Sequence, residues 1–257
     1  MTFLAQTWFM TTRLVRRLIR QPWYIALTLV QPIIWLILYG QLFQRVVELP
    51  GFQAASYIDF LTPGIVIMSA LFGSGWTGMG VIIDLDTGVM DRFLVSPVSR
   101  PAIILSRLLN LSLTTVVQSL ILFGLGALLG ARYAGGVWGL LVLLMAAVLL
   151  GCGFGALSIA LGFTLRKQES VIGAVNFVLL PLTFTSPVFM ANNLMPQWMR
   201  TVAQVNPVNW SVQAGRWALA GNPDSWEVGV RLTYLLIFAC VSLWISLRAF
   251  RAHQRST

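Results

Sequence analysis

A chain of 257 residues that is 57% hydrophobic and only 10% charged cannot clothe a water-soluble surface, which takes about a quarter of its residues from Asp, Glu, Lys and Arg. Its mean hydropathy of +0.80 and formal charge of +9 describe a basic protein that lives in lipid. No stretch is polar enough to form an exposed domain with a basic face, which excludes a nucleic-acid binder; the arginines instead suit membrane-flanking loops and anionic lipid.

Residues 1–22 predict an amphipathic helix lying in the membrane interface. Leu4, Trp8, Leu14, Val15 and Leu18 share one side of a helical wheel, and Arg13, Arg16, Arg17 and Arg20 the other. Gln21-Pro22 ends it and turns the chain into the bilayer. The surface serves either as a membrane anchor alone or as a contact for a cytoplasmic partner as well. Its apolar residues precede its arginines, the reverse of a signal peptide.

A helix needs about 20 mainly apolar residues to cross a bilayer. Six stretches qualify, at 25–43, 60–83, 108–131, 137–165, 171–190 and 232–247, and none contains a charged residue. Strands cannot satisfy their backbone alone in lipid, so the expected fold class is all-α integral membrane, with six transmembrane helices in one domain over 1–257. An even number of spans returns both termini to one side. Twelve basic residues flank that side: Arg13, Arg16, Arg17, Arg20, Arg92, Arg100, Arg107, Arg166, Lys167, Arg248, Arg251 and Arg255. Only Arg45, Arg132, Arg200, Arg216 and Arg231 flank the other, so both termini are expected in the cytoplasm.

The segment 84–107 is cytoplasmic in this topology. Asp84 and Asp86 close the second span, and GVMDRFLVSPVSRPAIILSR follows over 88–107. Gly88 permits a break. Val89, Phe93 and Leu94 make a short apolar face beside Asp91 and Arg92, Pro97 ends that helix, and Ser99 caps the next with Pro101 in its first turn. A plain connector needs four or five residues, as 132–136 does between the third and fourth spans. The extra length and the stops at both ends point to a docking helix, against the alternative of a solvated loop. Asp84 and Asp86 are expected to hold the base of span two against arginines of the N-terminal helix or of a partner.

The segment 191–231 falls outside the cell. Pro196, Pro207 and Pro223 divide it into short interfacial or re-entrant helices, and Trp198, Trp210, Trp217 and Trp226 suit the headgroup zone. Cys152 and Cys240 lie in apolar runs and predict packing rather than a disulfide or a zinc site.

These features resemble the membrane subunits of ABC-2 transporters over nearly the whole chain. That family shows acidic residues, a glycine break, an acid-basic-apolar-apolar run and a proline turn; Asp84, Asp86, Gly88, Asp91-Arg92-Phe93-Leu94 and Pro97-Val98-Ser99-Arg100 match in order. Pro181, Pro187, Leu194, Pro196, Asn206 and Pro207 match its second half. Asp replaces the usual Glu at 84, 86 and 91, and Val89 stands where Thr is common, which conserves charge or shape. The resemblance is to the daunorubicin-resistance-like branch of multidrug exporters in bacterial plasma (inner) membranes. It implies a non-catalytic permease that exports a hydrophobic or amphipathic compound, or alternatively a polysaccharide or lipid-linked glycan. It further implies two cytoplasmic ABC ATPase subunits that carry ATP and Mg, a second copy of the chain or a sister permease, and ATPase coupling through Asp84, Asp86, Gly88, Asp91, Arg92, Phe93, Leu94, Pro97 and Arg100.

The residues agree on the energy source. A P-loop needs Gly-Lys-Ser/Thr, and the sole lysine, Lys167, stands between Arg166 and Gln168. The chain therefore binds no nucleotide cofactor of its own in that way. Ion coupling needs ionisable groups within the spans, and the sequence puts none there. An intramembrane enzyme needs a base or metal ligands beside a nucleophile, and Ser158, Thr183, Thr185 and Ser186 have no such neighbour in sequence. Trp35, Tyr39, Phe72, Trp76, Met79 and Asn176 are candidates for a substrate path, against the alternative of core or lipid-facing packing. Gln118 is similarly open between a path and a bond across helices. The glycines Gly73, Gly75, Gly78 and Gly80 point to close helix packing or to a flexible point in span two.

Overall fold

A computed structural model describes residues 3–20, 22–48, 52, 54, 56–89, 100–221 and 225–255, and among these the regular structure is entirely helical. The helices are α1 (Phe3–Arg20), α2 (Pro22–Leu42), α3 (Tyr57–Gly75), α4 (Thr77–Asp86), α5 (Arg100–Leu128), α6 (Gly136–Leu165), α7 (Gln168–Phe184), α8 (Gln197–Gln204), α9 (Pro207–Leu219) and α10 (Ser225–Arg255). Two short 3₁₀ turns, Gln44–Glu48 and Asn192–Leu194, lie between them.

Five apolar stretches are long enough to cross a membrane: Ile25–Leu42, Tyr57–Asp86, Pro101–Leu128, Gly136–Leu165 and Trp226–Ala252. The sixth expected span is different. Helix α7 has 17 residues, about 25 Å at 1.5 Å per residue, less than the ~30 Å hydrocarbon core. It stops at Phe184 because Pro187 drives the residue before it out of the helical region. The amides of Thr185 and Ser186 turn back to the carbonyls of Pro181 and Thr183, and the chain continues through a buried turn at Ser186, Pro187 and Val188.

The long helices also reach beyond the expected spans and take in charge at their ends. Asp59, Asp84 and Asp86 fall within Tyr57–Asp86, and Arg107 falls within Pro101–Leu128. Arg107 is thus a helical residue about two turns inside α5. Likewise α10 begins at Ser225, so the last residues of the expected outer segment belong to the final helix.

Helix α6 is the hub, packed against α3, α4, α5, α9 and α10. Its buried edge carries Gly139, Val142, Leu143, Ala146, Ala147, Leu150 and Phe154, and the small residues let neighbours approach closely. At one end, Gly135 donates its amide to Leu219 O at 2.9 Å, and a Cβ at Gly139 would stand 2.7 Å from Ala218 O. Helix α9 is therefore inserted between α3, α6 and α10 rather than laid on a surface. Asn206 caps it, accepting from the Val208 amide at 2.9 Å, with Pro207 at the first helical position. Of the four outer tryptophans, Trp198 and Trp226 are exposed as a headgroup belt requires, whereas Trp210 and Trp217 are partly packed into the protein.

Helix α1 packs on α5. Thr7 and Thr11 form its buried edge, with Met10 packed against the cluster that includes Ile103, Ile104 and Leu108. Trp8 and Phe9 are exposed, as are Arg13, Arg16 and Arg20. The helical wheel groups Trp8 with Leu14; in the structure Leu14 is half-buried and Trp8 points away from the bundle.

Candidate functional site

The Asp86 end of the bundle carries the expected coupling residues. Asp84, near the end of α4, pairs with Arg107 of α5, and their side chains are 26% and 12% exposed. A Cβ at Gly80, one turn before Asp84, would stand 2.9 Å from Arg107 Nη1. The pair therefore ties together the two helices on either side of residues 90–99. The partner of Asp84 is Arg107 on span three, rather than an arginine of the N-terminal helix or of a partner chain as the sequence suggests. Asp86 is exposed. Thr87 closes α4, and Gly88 takes the left-handed backbone at φ 67° that suits glycine. Asp91, Arg92, Phe93, Leu94 and Pro97 lie outside the described residues; Arg100 opens α5.

In the middle of the bundle, α3 gives way to α4 at Trp76. Ser158 of α6 bridges the break: its hydroxyl donates to Gly75 O and accepts from the Gly78 amide at 2.9 Å. It thus partners one of the amides left without an intrahelical carbonyl at the start of α4. A Cβ at Gly75 would stand 2.6 Å from Val175 Cγ1 of α7, one at Gly78 would overlap the Ser158 backbone, and one at Gly162 would be 2.6 Å from Gly78 O. The break in span two is thus real and tightly packed on two sides. Trp76 sits at it, 40% exposed, with Phe72 and Met79 half-buried a turn to either side. Asn176 is half-buried on α7, next to Val175. Gln118, by contrast, bonds across helices, donating to Thr28 Oγ1 of α2 at 2.8 Å.

At the Tyr57 end, aromatic rings from three parts of the chain meet. Trp35 and Tyr39 stack on α2 at 5.0 Å and 6° between planes. Phe189 of the turn after α7 lies 5.2 Å from each. Phe43 joins Tyr39 to Tyr57, at 5.4 and 5.8 Å, and Tyr57 continues to Phe60 at 6.1 Å. Under this array the Arg216 guanidinium of α9 lies 3.4 Å from the centre of the Phe60 ring. It donates from Nε to Phe60 O and from Nη2 to Val188 O, each at 3.0 Å. Burial pushes this guanidinium down to about 9, opposed by the Tyr57 hydroxyl, so it stays a cation at neutral pH.

The structure thus brings Trp35 and Tyr39 into one array and places Phe72, Trp76, Met79 and Asn176 farther along the bundle, around the break. Sequence reasoning misses Phe189, Tyr57 and Phe60 as partners of that array, and takes Arg216 only as an outer basic residue. One signal is legible: Arg216 is the single charge in the helix PVNWSVQAGRWAL. Among the described residues there is no group of acidic, histidine or cysteine side chains able to hold a metal, and both cysteines are free, Cys152 beside Ser112 Oγ at 3.2 Å.

Comparison with known proteins gives a consistent result. The family described as ABC-2 type transporter matches residues 5–220. A daunorubicin resistance ABC transporter permease protein of Streptomyces coeruleorubidus is 29% identical over 220 residues, covering 86% of this chain and 77% of that protein. A putative transport permease of Cyanophora paradoxa is 28% identical over 238 residues, 92% of this chain and 81% of its own. A probable doxorubicin resistance ABC transporter permease protein of Mycobacterium tuberculosis is 25% identical over 221 residues, with 86% and 79% covered.

Proposed function

The chain belongs to the ABC-2 type transporter family, and from that premise we propose that it is the permease of an exporter that moves a hydrophobic or amphipathic compound out of the cell, powered by a separate ATPase. The observation that carries the substrate class is the array of Trp35, Tyr39, Phe43, Tyr57, Phe60 and Phe189. Stacked and tilted rings offer broad apolar faces that suit a planar or greasy molecule. The names of the Streptomyces and Mycobacterium relatives, which are resistance permeases, support the same class.

In this proposal the Asp86 end faces the cytoplasm and the Tyr57 end faces outside, which the distribution of arginines supports. Helix α7 and the turn at 185–190 then complete a sixth passage. Residues 84–107 receive the ATPase: Phe93 and Leu94 anchor it, Asp91 and Arg92 set the register, and the Asp84–Arg107 pair passes the load to spans two and three. ATP and Mg stay on that partner. A second copy or a sister permease completes the path. Only 22% of the first span and 17% of the last are buried within the single chain, which supports a further helical neighbour or lipid on those faces. Export depends on the rings and not on the hydroxyl in this account. Cells carrying the chain and its ATPase should therefore accumulate several-fold more of a fluorescent planar amphipathic dye with Tyr39→Ala, and no more than wild type with Tyr39→Phe. Equal accumulation in all three would contradict the assigned substrate class.

A further inference from the structure

The turn at 185–190 is held from α9 at two points of different character. Asn206 Nδ2 donates to Leu182 O at 2.7 Å and to Thr185 Oγ1 at 3.2 Å. These bonds satisfy the end of α7 and fix the start of the turn. Arg216 acts at its middle, where its Nη2 holds Val188 O while its Nε holds Phe60 O of α3. A planar guanidinium offers edge donors to two carbonyls and a flat face to a ring at the same time, a fit for which a compact ammonium is less suited. The fit is close because residue 64 has no side chain. A Cβ at Gly64 would stand 2.6 Å from Val188 O and 3.3 Å from Arg216 Nη2. The Tyr57 hydroxyl adds a bond to Phe189 O at 3.0 Å.

The turn also meets the rings. Phe189 packs against Trp35 and Tyr39, so a shift of the turn changes what those rings touch. Among the described residues, the hydrogen bonds of Arg216 go to backbone carbonyls. Release of the turn therefore leaves no unpaired carboxylate behind, and only the guanidinium has to be solvated at that end of the bundle.

We propose that Arg216 is a positioning residue that latches the outer end of the path, holding the 185–190 turn against α3 over the aromatic array until cargo leaves. The latch rests on the exporter reading above for its direction. Release lets the turn carry Phe189 away from Trp35 and Tyr39; re-formation restores the seal. Arg216 touches no cargo in this scheme and acts through the turn.

The test uses the full chain in intact cells, with Cys152→Ser and Cys240→Ser as background, and reads the rate of labelling by a membrane-impermeant maleimide. Val188→Cys reports the turn. Trp198→Cys reports an exposed site at the same end, and Ala147→Cys a site in the core. With Arg216 present, the Trp198→Cys protein should label quickly and the other two slowly. Arg216→Met keeps bulk but cannot donate, and should speed labelling of Val188→Cys about 10- to 100-fold, as expected when a charged hydrogen bond is lost from a two-state contact, with Ala147→Cys unchanged. Arg216→Lys, which can still hold one carbonyl, should fall between. An unchanged rate at 188 with Arg216→Met overturns the latch alone. A parallel rise at 147 also overturns it, since Arg216 would then support the fold generally. Failure of Trp198→Cys to label from outside overturns the exporter topology, and the outward latch with it.

Discussion

At the scale of single residues, the chain solves the problem of charge near lipid in two ways. Asp84 and Arg107 neutralise each other across two helices, whereas Arg216 relies on carbonyls and a ring. The first arrangement makes a sharp forecast. Removing one member of a largely buried pair strands the other, at a cost of about 3–5 kcal/mol in a fully buried site. The partial exposure of Asp84 puts Arg107→Ala and Asp84→Asn at the lower end of that range. The exchange Asp84→Arg with Arg107→Asp should recover much of the loss. Thermal unfolding in detergent measures all three, and a double variant no more stable than the singles would show that the pair contributes through something other than its charges.

At the scale of elements, the sequence is a good guide to which segments are helical and a poor guide to where they end. Runs free of charge mark five of the long helices, because burying an isolated charge in lipid costs too much. The same rule starts the third span only after Arg107, since hydropathy cannot see that Asp84 waits on the neighbouring helix. Pro187 lies in an apolar run that reads as span, yet it ends α7 and creates the turn that carries Val188 and Phe189. The glycines of span two are legible as a cluster, but their partners are not. Ser158 is eighty residues away from Gly78 in the chain, and only the fold shows that it bridges the break at Trp76. That packing separates two glycine substitutions. Gly78→Ala would drive a methyl into the Ser158 backbone, whereas a Cβ at Gly124 would meet nothing within 4 Å. Gly78→Ala should lose about 1–3 kcal/mol from overpacking. Gly124→Ala should be neutral or gain up to about 1 kcal/mol of helix propensity. Unfolding midpoints that move together would mean that α4 and α6 are not as closely set as described.

At the scale of the whole molecule, three contacts are spread along the bundle. The Asp84–Arg107 pair joins the helices on either side of residues 90–99, Ser158 holds the break above it, and Arg216 closes the turn at the far end. Candidate path residues follow the same axis, from Met79 and Trp76 near the break to Tyr39 and Trp35 in the array. The family is legible from the order of motifs. The identity of the cargo is not, because apolar rings set a class of molecule rather than a molecule. The central claim is that this chain conducts but does not itself supply the energy. It is tested most directly by uptake of a fluorescent amphipathic dye into inside-out membrane vesicles, with the chain and its ATPase present together or singly. ATP-dependent uptake should appear only when both are present and vanish when the ATPase cannot hydrolyse ATP. Uptake by the chain alone, driven by an ion gradient without any ATPase, would contradict it.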